Sequence, residues 1–490
     1  MKYKNPIIFS DYSDPDVLEY GDKFIMTASS FNYIPGLPIL LSEDLVNWKL
    51  VNYAIENRLD FPKYNKPMYS NGVWAPSIRK HNSLFYIFFG MPDEGIFEVH
   101  TSDPLKKWST PHLVKKGKGL IDPCPFWEDN KAYVVHAYAK SRIGFKSVLG
   151  IFEIDPKTNE SISTDSLLYN GITENPTIEG PKVYKKNNYY YIFAPAGGVK
   201  YGWQTVLRSK SLFGPFETKK VLEQKNTTVN GPHQGAMIKD KSNNYWFIHF
   251  QDKGIYGRIT HLQPLKWKED WPVIANNGKP LYQSEAPYPS TKSQMKLNQN
   301  DMLNSKDLSL YWQWSANKNT KFYSTTPNGL YLNSHYEENG NYNLKLYPNL
   351  LSQKLIYRSF KIEVTCDYSL LKENEEAGLA FIDRTNIAIA IRNENNRFKV
   401  CLRNEEKTKI LDEYKKMDSL VQLSLILKEN SNKIKCGLKI NNKSTKQDIT
   451  FLKESIVSWS GLKVAIYSIS KNRKKEYGKV RFSNFKILER

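Results

Sequence analysis

A short proline-marked segment recurs along the N-terminal part of the chain, and it restricts the fold more than any other feature. Its five copies are Asp14-Pro15-Asp16-Val17, Trp74-Ala75-Pro76-Ser77-Ile78, Ile121-Asp122-Pro123, Glu179-Gly180-Pro181-Lys182-Val183 and Gly231-Pro232-His233-Gln234-Gly235. Each precedes an aromatic β run, among them Phe24-Ile25-Met26, Phe85-Tyr86-Ile87-Phe88-Phe89 and Tyr189-Tyr190-Tyr191-Ile192-Phe193. A recurrence of roughly fifty to sixty residues is the period of propeller blades. No blade buries both faces alone, so the repeats must stack around an axis. Equivalent positions in successive blades then converge on that axis. Asp14, Asp122 and Glu179 hold such positions, which predicts a central acidic pocket built from residues far apart in sequence.

The chain has 490 residues, long enough for two cores. Its 31 Tyr, 23 Phe and 11 Trp, set in short runs with Val and Ile, favour an all-β fold over long amphipathic helices. No apolar run reaches the length of a membrane span. The start, Met1-Lys2-Tyr3-Lys4-Asn5-Pro6, has no secretory apolar segment behind it. The expectation is a cytoplasmic protein, unless an export signal has been removed. Cys124, Cys366, Cys401 and Cys436 form no metal-type pair and read as core. The formal charge of +20 raises the question of nucleic acid. The lysines are scattered, however, and their densest cluster, Lys471-Asn472-Arg473-Lys474-Lys475, falls in a hairpin turn with no recognition module around it. Neither nucleic acid nor membrane is expected as a partner, and homo-oligomers are left open.

The propeller is expected over residues 1–290. The stretch Ser284-Glu285-Ala286-Pro287-Tyr288-Pro289-Ser290-Thr291-Lys292 is polar and proline-broken, as linkers are. With a linker over 291–305, a second domain over 306–490 follows. It opens on Tyr311-Trp312-Gln313-Trp314 and continues as short alternating strands with turn signals between them. That pattern predicts a β-sandwich. The early aromatic run predicts that the sandwich is docked on the propeller and does not swing on the linker.

The N-terminal part resembles the five-bladed propeller of glycoside hydrolase family 43. The strings that carry the resemblance are Ser13-Asp14-Pro15-Asp16-Val17, Pro35-Gly36-Leu37-Pro38-Ile39, Ser42-Glu43-Asp44-Leu45-Val46-Asn47-Trp48, Trp74-Ala75-Pro76, Ile121-Asp122-Pro123, Glu179-Gly180-Pro181 and Gly257-Arg258, in this order. The C-terminal part resembles the concanavalin-like sandwich of that family's β-xylosidase and α-L-arabinofuranosidase branch. The resemblance implies a general acid at Glu179, a general base at Asp14 that activates water for inverting attack, and a third acid, Asp122, that orients Glu179 and tunes its pKa. Inversion needs room for that water, with the two carboxyls roughly 6.5–9.5 Å apart. Glu179 is expected to carry a raised pKa, with the like charge of Asp122 as its cause.

The resemblance also implies that Arg258 reaches the sugar and that His233 stands beside a bound calcium at the axis. Any such ion would be structural, and the chemistry would need no cofactor. Trp74 and Phe31 are candidates for the apolar wall of the sugar pocket, with burial in a blade core as the alternative. His249 reads as a structural strand residue. The implied function is exo-hydrolysis of terminal non-reducing pentoses, α-L-arabinofuranose or β-D-xylose, from plant-cell-wall xylo- and arabino-oligosaccharides or polymers, with a slight lean to arabinofuranose. A carbohydrate-binding protein that has lost catalysis, and an endo-arabinanase, are the alternatives.

Overall fold

The computed structural model describes residues 1–289, 292–383, 386–404, 407–417, 419–429, 433–440, 443–450 and 459–490. Ser290 and Thr291, at the expected start of the linker, lie outside the described residues.

The proline-marked segments lead into the first strands of five four-stranded antiparallel sheets. These first strands are Asp16–Tyr20, Ser77–His81, Leu120–Glu128, Lys182–Lys186 and His233–Lys239. The aromatic runs form the second strands, as in Leu84–Met91 and Tyr189–Ala196. Proline suits these starts because it supplies no N–H to a ladder that has not yet begun. The second strands are apolar along most of their length because both faces of a blade are covered by its neighbours. Phe88 packs with Val134 and Phe152 of the next blade, and Phe193 stacks on Phe247 at 5.8 Å. The ring closes where the N-terminal segment lies along the blade-five strand Arg258–Lys268, with Ile8 bridging Thr260 and Lys2–Lys4 pairing with Gln283–Glu285.

The second half forms two facing sheets. One runs through Leu351–Lys354, Lys463–Ser470, Glu375–Ile382, Ile387–Glu394, Arg397–Asn404 and Lys407–Tyr414. The other runs through Gly329–Asn333, Lys479–Glu489, Phe360–Asp367, Val421–Leu427, Lys433–Ile440 and Lys443–Thr450. Their inward residues, such as Leu379, Ile389, Val364 and Leu425, make one apolar core.

The sandwich is seated on the propeller. Ile34 pairs with Trp314, Asn32 Nδ2 donates to Ser315 O, and Gln313 Nε2 donates to Pro35 O. Tyr33 is buried against Ala380, Ala465 and Tyr467 of the sandwich. Ile255 and Tyr256, from the propeller, join the sandwich core. The connecting segment is laid onto the propeller too, since Gln294 Nε2 donates to Pro6 O. All four cysteines are buried and unbridged. Among the described residues no helix is long and apolar enough to cross a membrane.

Candidate active site

A cavity of about 300 Å³ opens at one end of the propeller axis, and every blade contributes to its wall or floor. Asp14 precedes the first strand of blade one, Trp74 that of blade two, Asp122 lies in that of blade three, and Glu179 precedes that of blade four. Blade five supplies Gln234 and Arg258. Phe31 enters from the loop after the second strand of blade one.

The backbone here is bent into the left-handed region. Asp14, Phe31, Asp122, Thr177 and Gln234 have φ of 56°, 53°, 55°, 60° and 31°. Aspartate tolerates this conformation better than most residues, whereas for Phe and Gln it is strained. The bend turns each side chain off the ladder and into the cavity. Gly180 also has positive φ, and a Cβ there would lie 2.6 Å from the Gln234 side chain.

The charges are closely paired. Arg258 Nη1 donates to Asp14 Oδ1 at 3.0 Å, and Ser29 Oγ donates to Asp14 Oδ2 at 2.5 Å. The Arg258 guanidinium also lies 4.7 Å from the centre of the Phe250 ring, which walls it off from water. Asp122 Oδ2 accepts the Gly180 amide at 2.9 Å, so the third acid is fixed to the residue that follows Glu179. His233 Nε2 hydrogen-bonds Glu179 Oε1 at 2.8 Å.

These contacts reverse the expected order of proton affinities. Burial raises the Asp122 carboxyl well above the usual carboxylate range, and the charges of Glu179 and Asp14 raise it further. Burial acts on Glu179 in the same direction, but the His233 hydrogen bond and the charges of His233, Arg258 and Lys146 outweigh it and hold Glu179 below its ordinary value. The directions are thus opposite to the expectation of a raised Glu179, with Asp122 pushed up and Glu179 held down. The physical reason is the cationic partners gathered at Glu179, which a reading of the acids alone could not weigh.

Around His233 the protein supplies no ready-made set of acidic ligands among the described residues, so a calcium there would need waters to complete its shell. Calcium takes about six to eight oxygen ligands. Among the described residues no three His, Cys, Asp or Glu side chains gather as metal ligands. His233 Nε2 is engaged by Glu179, and Nδ1 is a single buried nitrogen without a hydrogen-bond partner. The contact the structure gives His233 is a positioning one, on Glu179. His249 lies away from the cavity lining, stacked on His261 at 5.1 Å, and burial pushes its pKa down to about 4.

Trp74 and Phe31 both line the cavity. Trp74 Nε1 donates to Ser70 O, and the ring meets Trp459 edge-on with centroids 4.5 Å apart. Trp459 belongs to the sandwich side of the chain and closes part of the pocket wall. Sequence reasoning missed it, as it missed Lys146 and Tyr138. Tyr138 is pinned by Asp165, which takes its hydroxyl at 2.5 Å and lies 2.9 Å from His136 Nε2. Only the glycine after Ser460 hints that Trp459 sits at a turn, and nothing local ties that turn to the propeller.

Comparison with known proteins gives a consistent picture. Residues 3–272 match the family model described as glycosyl hydrolases family 43. Residues 300–487 match the beta xylosidase C-terminal concanavalin A-like domain. A protein of Xylanibacter ruminicola, provisionally named a beta-xylosidase, is 36% identical over 388 residues, 77% of this chain and 70% of that protein. A non-reducing end alpha-L-arabinofuranosidase of Bacteroides ovatus is 28% identical over 435 residues, 84% of this chain and 79% of that protein. Among solved structures, the GH43B protein of the Bacteroides ovatus xyloglucan locus superposes with a TM-score of 0.85 at 24% identity, with both chains covered over 100%. The xylan beta-1,4-xylosidase of Bacillus halodurans superposes with a TM-score of 0.86 at 20% identity, with 99% of each chain covered. These two likenesses show the shared fold.

Proposed function

The chain belongs to glycosyl hydrolases family 43 and is a glycosidase, and from that premise we propose that it is an inverting exo-enzyme releasing terminal non-reducing pentoses. The observation that carries the reading is the meeting of Asp14, Asp122, Glu179 and Arg258 in one small cavity with an aromatic wall. Hydrolysis of a glycosidic bond needs an acid on the leaving oxygen and a carboxylate acting from the other face of the sugar. In this reading Asp14 is the base. Its bonds to Arg258 and Ser29 hold the carboxylate aimed into the cavity, where it would take a proton from the attacking water. Glu179 is the acid, and Asp122 is the reservoir that keeps one proton in the pair.

The Glu179 side chain is 28% exposed in the open pocket. A bound sugar covers it and removes the water that helps to stabilise its charge. The proton then favours Glu179, where the leaving oxygen can receive it, and the charge passes to Asp122. Arg258 offers a fixed fork of donors to vicinal hydroxyls. A cavity of about 300 Å³ stands at the small end of ligand pockets, which suits one terminal ring more than a polymer threaded through a cleft. Trp74, Phe31 and Trp459 supply apolar faces for the C–H side of the ring.

Both α-L-arabinofuranose and β-D-xylose present hydroxyls that such a pocket can hold, and the lean to arabinofuranose is slight. The relatives' names include both activities. Paired kinetics on nitrophenyl α-L-arabinofuranoside and β-D-xyloside test the substrate. A xyloside preference of about tenfold or more in kcat/KM overturns the lean. Proton NMR of the first product tests inversion, and release of the substrate's own anomer sinks the mechanism.

A further inference from the structure

We propose that Asp11 is a positioning residue that makes the sugar pocket depend on the docked sandwich, a proposal that rests on the reading of the pocket as the glycosidase site. Asp11 lies behind the cavity and is 5% exposed. Its carboxylate takes backbone donors from both halves of the chain. Oδ1 accepts the Arg258 amide at 2.9 Å and the Ser13 hydroxyl at 3.2 Å. Oδ2 accepts the Gly461 amide at 3.0 Å. Arg258 is the partner of Asp14, and Gly461 stands two residues after Trp459 in the turn that brings that indole to the pocket wall. Ser13 Oγ reaches Trp459 O at 3.3 Å as well. One carboxylate thus fixes the arginine of the floor and the tryptophan of the wall in a single frame.

The packing at this junction leaves little freedom. A Cβ on Gly461 would lie 2.6 Å from Gly257 N, and a Cβ on Gly257 would lie 2.5 Å from Asp11 Cγ. Only glycines let the two backbones meet over Asp11. Leu462 N donates to Ile255 O at 2.8 Å beside them. Two buried sandwich lysines complete the arrangement. Lys354 Nζ donates to Asp11 O at 2.6 Å and sits 3.8 Å from the centre of the Tyr12 ring. Lys463 Nζ lies 3.9 Å from Asp11 Oδ2 and 4.1 Å from the centre of the Tyr33 ring. Asp11 therefore meets two lysines that arrive only with the sandwich, Lys354 at its backbone carbonyl and Lys463 beside its carboxylate. A loose sandwich would release Trp459 and relax the backbone that aims Arg258.

The test is Asp11→Asn in the full chain, which keeps the shape and removes the charge. On the preferred nitrophenyl pentoside, KM should rise about fivefold to tenfold with a smaller fall in kcat, since the sugar loses its wall and its arginine. A merely structural role would lower the amount of folded enzyme and its thermal midpoint and leave the KM of the survivors unchanged. Adding Trp459→Ala gives the second readout. The Asp11→Asn change should cost at most about half as much in kcat/KM on the Trp459→Ala background as on the wild type. Unchanged KM, or additive effects of the two substitutions, overturns the proposal. If Asp11→Asn does not fold, Gly461→Ala presses the same turn off Gly257 with the charge intact, and it should raise KM likewise; an unchanged KM there overturns the proposal. A wild type without activity on any pentoside counts against the glycosidase reading alone. In that case the same variants are compared by calorimetric binding of free arabinose and xylose, and equal affinities overturn the role of Asp11.

Discussion

Each half of the molecule buries a cluster of charge, and the two are built to opposite ends. In the sandwich, Glu376 is fully buried and its carboxylate is held by side chains of its own sheet. Arg392 gives it Nε and Nη2 at 2.9 and 2.7 Å, Arg403 gives Nη1 at 2.8 Å, and Tyr467 gives its hydroxyl at 2.9 Å. The backbone beneath is regular strand. In the propeller pocket, Asp14 and Asp122 stand on left-handed backbone, and Arg258 Nε, His233 Nδ1 and Gln234 Nε2 are buried with no hydrogen-bond partner among the described residues. In the sandwich cluster the carboxylate is fully engaged and Arg403 Nε is left without a partner among the described residues, and such a nearly saturated cluster on regular strand holds a fold. An unsaturated one on strained supports is held in readiness for a ligand, and the surrounding blades must supply the stability that it lacks.

The largest effect that could break this contrast is Glu179→Gln. Glutamine keeps the shape and removes the transferable proton, so kcat/KM should fall by about 10³-fold while the thermal midpoint stays near that of the wild type. Retained activity would end the catalytic assignment, and a collapse in stability would show that the pocket is structural after all. Glu376→Ala is the mirror experiment. It strands Arg392 and Arg403, and loss of one partner of a buried pair costs about 3–5 kcal/mol. Denaturant titration should show that loss, with kcat/KM of the folded enzyme unchanged. Loss of activity without loss of stability would place function in the wrong cluster.

Asp122→Asn sharpens the comparison within the pocket. Without Asp122, Glu179 alone must hold the proton, and its cationic neighbours hold its pKa low. Wild-type activity should persist to the higher pH at which the pair, dominated by the raised Asp122, gives up its last proton. The variant should lose about 10²-fold at neutral pH, and the alkaline limb of its kcat/KM profile should move to lower pH. An unmoved limb would separate Asp122 from the proton altogether.

The smallest expected effect lies at the junction between the halves. Burial pushes the Lys354 pKa down from 10.5 to about 7, against the attraction of Asp11. Between those pH values the unfolded chain binds a proton that the folded chain does not, so this lysine makes unfolding free energy rise with pH across that window. Lys354→Met should flatten the rise, seen as a smaller gain in thermal midpoint from pH 7 to pH 10 than the wild type shows. An identical pH dependence in both proteins would mean that the buried lysine keeps its charge.

The blades were legible because their signals are local. A proline at a strand start and an aromatic run after it report the same backbone events wherever they occur, and repetition turns them into a ring. The candidate acids were legible for the same reason, since each lies within one of those starts. Trp459 and Asp11 carried no such mark. Each takes its place from contacts across more than 300 positions of the chain, between Trp74 and Trp459 or between Asp11 and Gly461.

The sequence by itself therefore determined the architecture, two β units of different kinds, and the residue types that meet on the propeller axis. Period and alternation are properties of the chain, and burial of apolar faces leaves few ways to satisfy them. Only the tertiary structure decided which acid burial pushes up, which one cationic neighbours hold down, and which half of the molecule finishes the pocket. Those outcomes depend on charges and surfaces a few ångströms apart in space, where burial strengthens each interaction, and a linear order of residues carries no such distances.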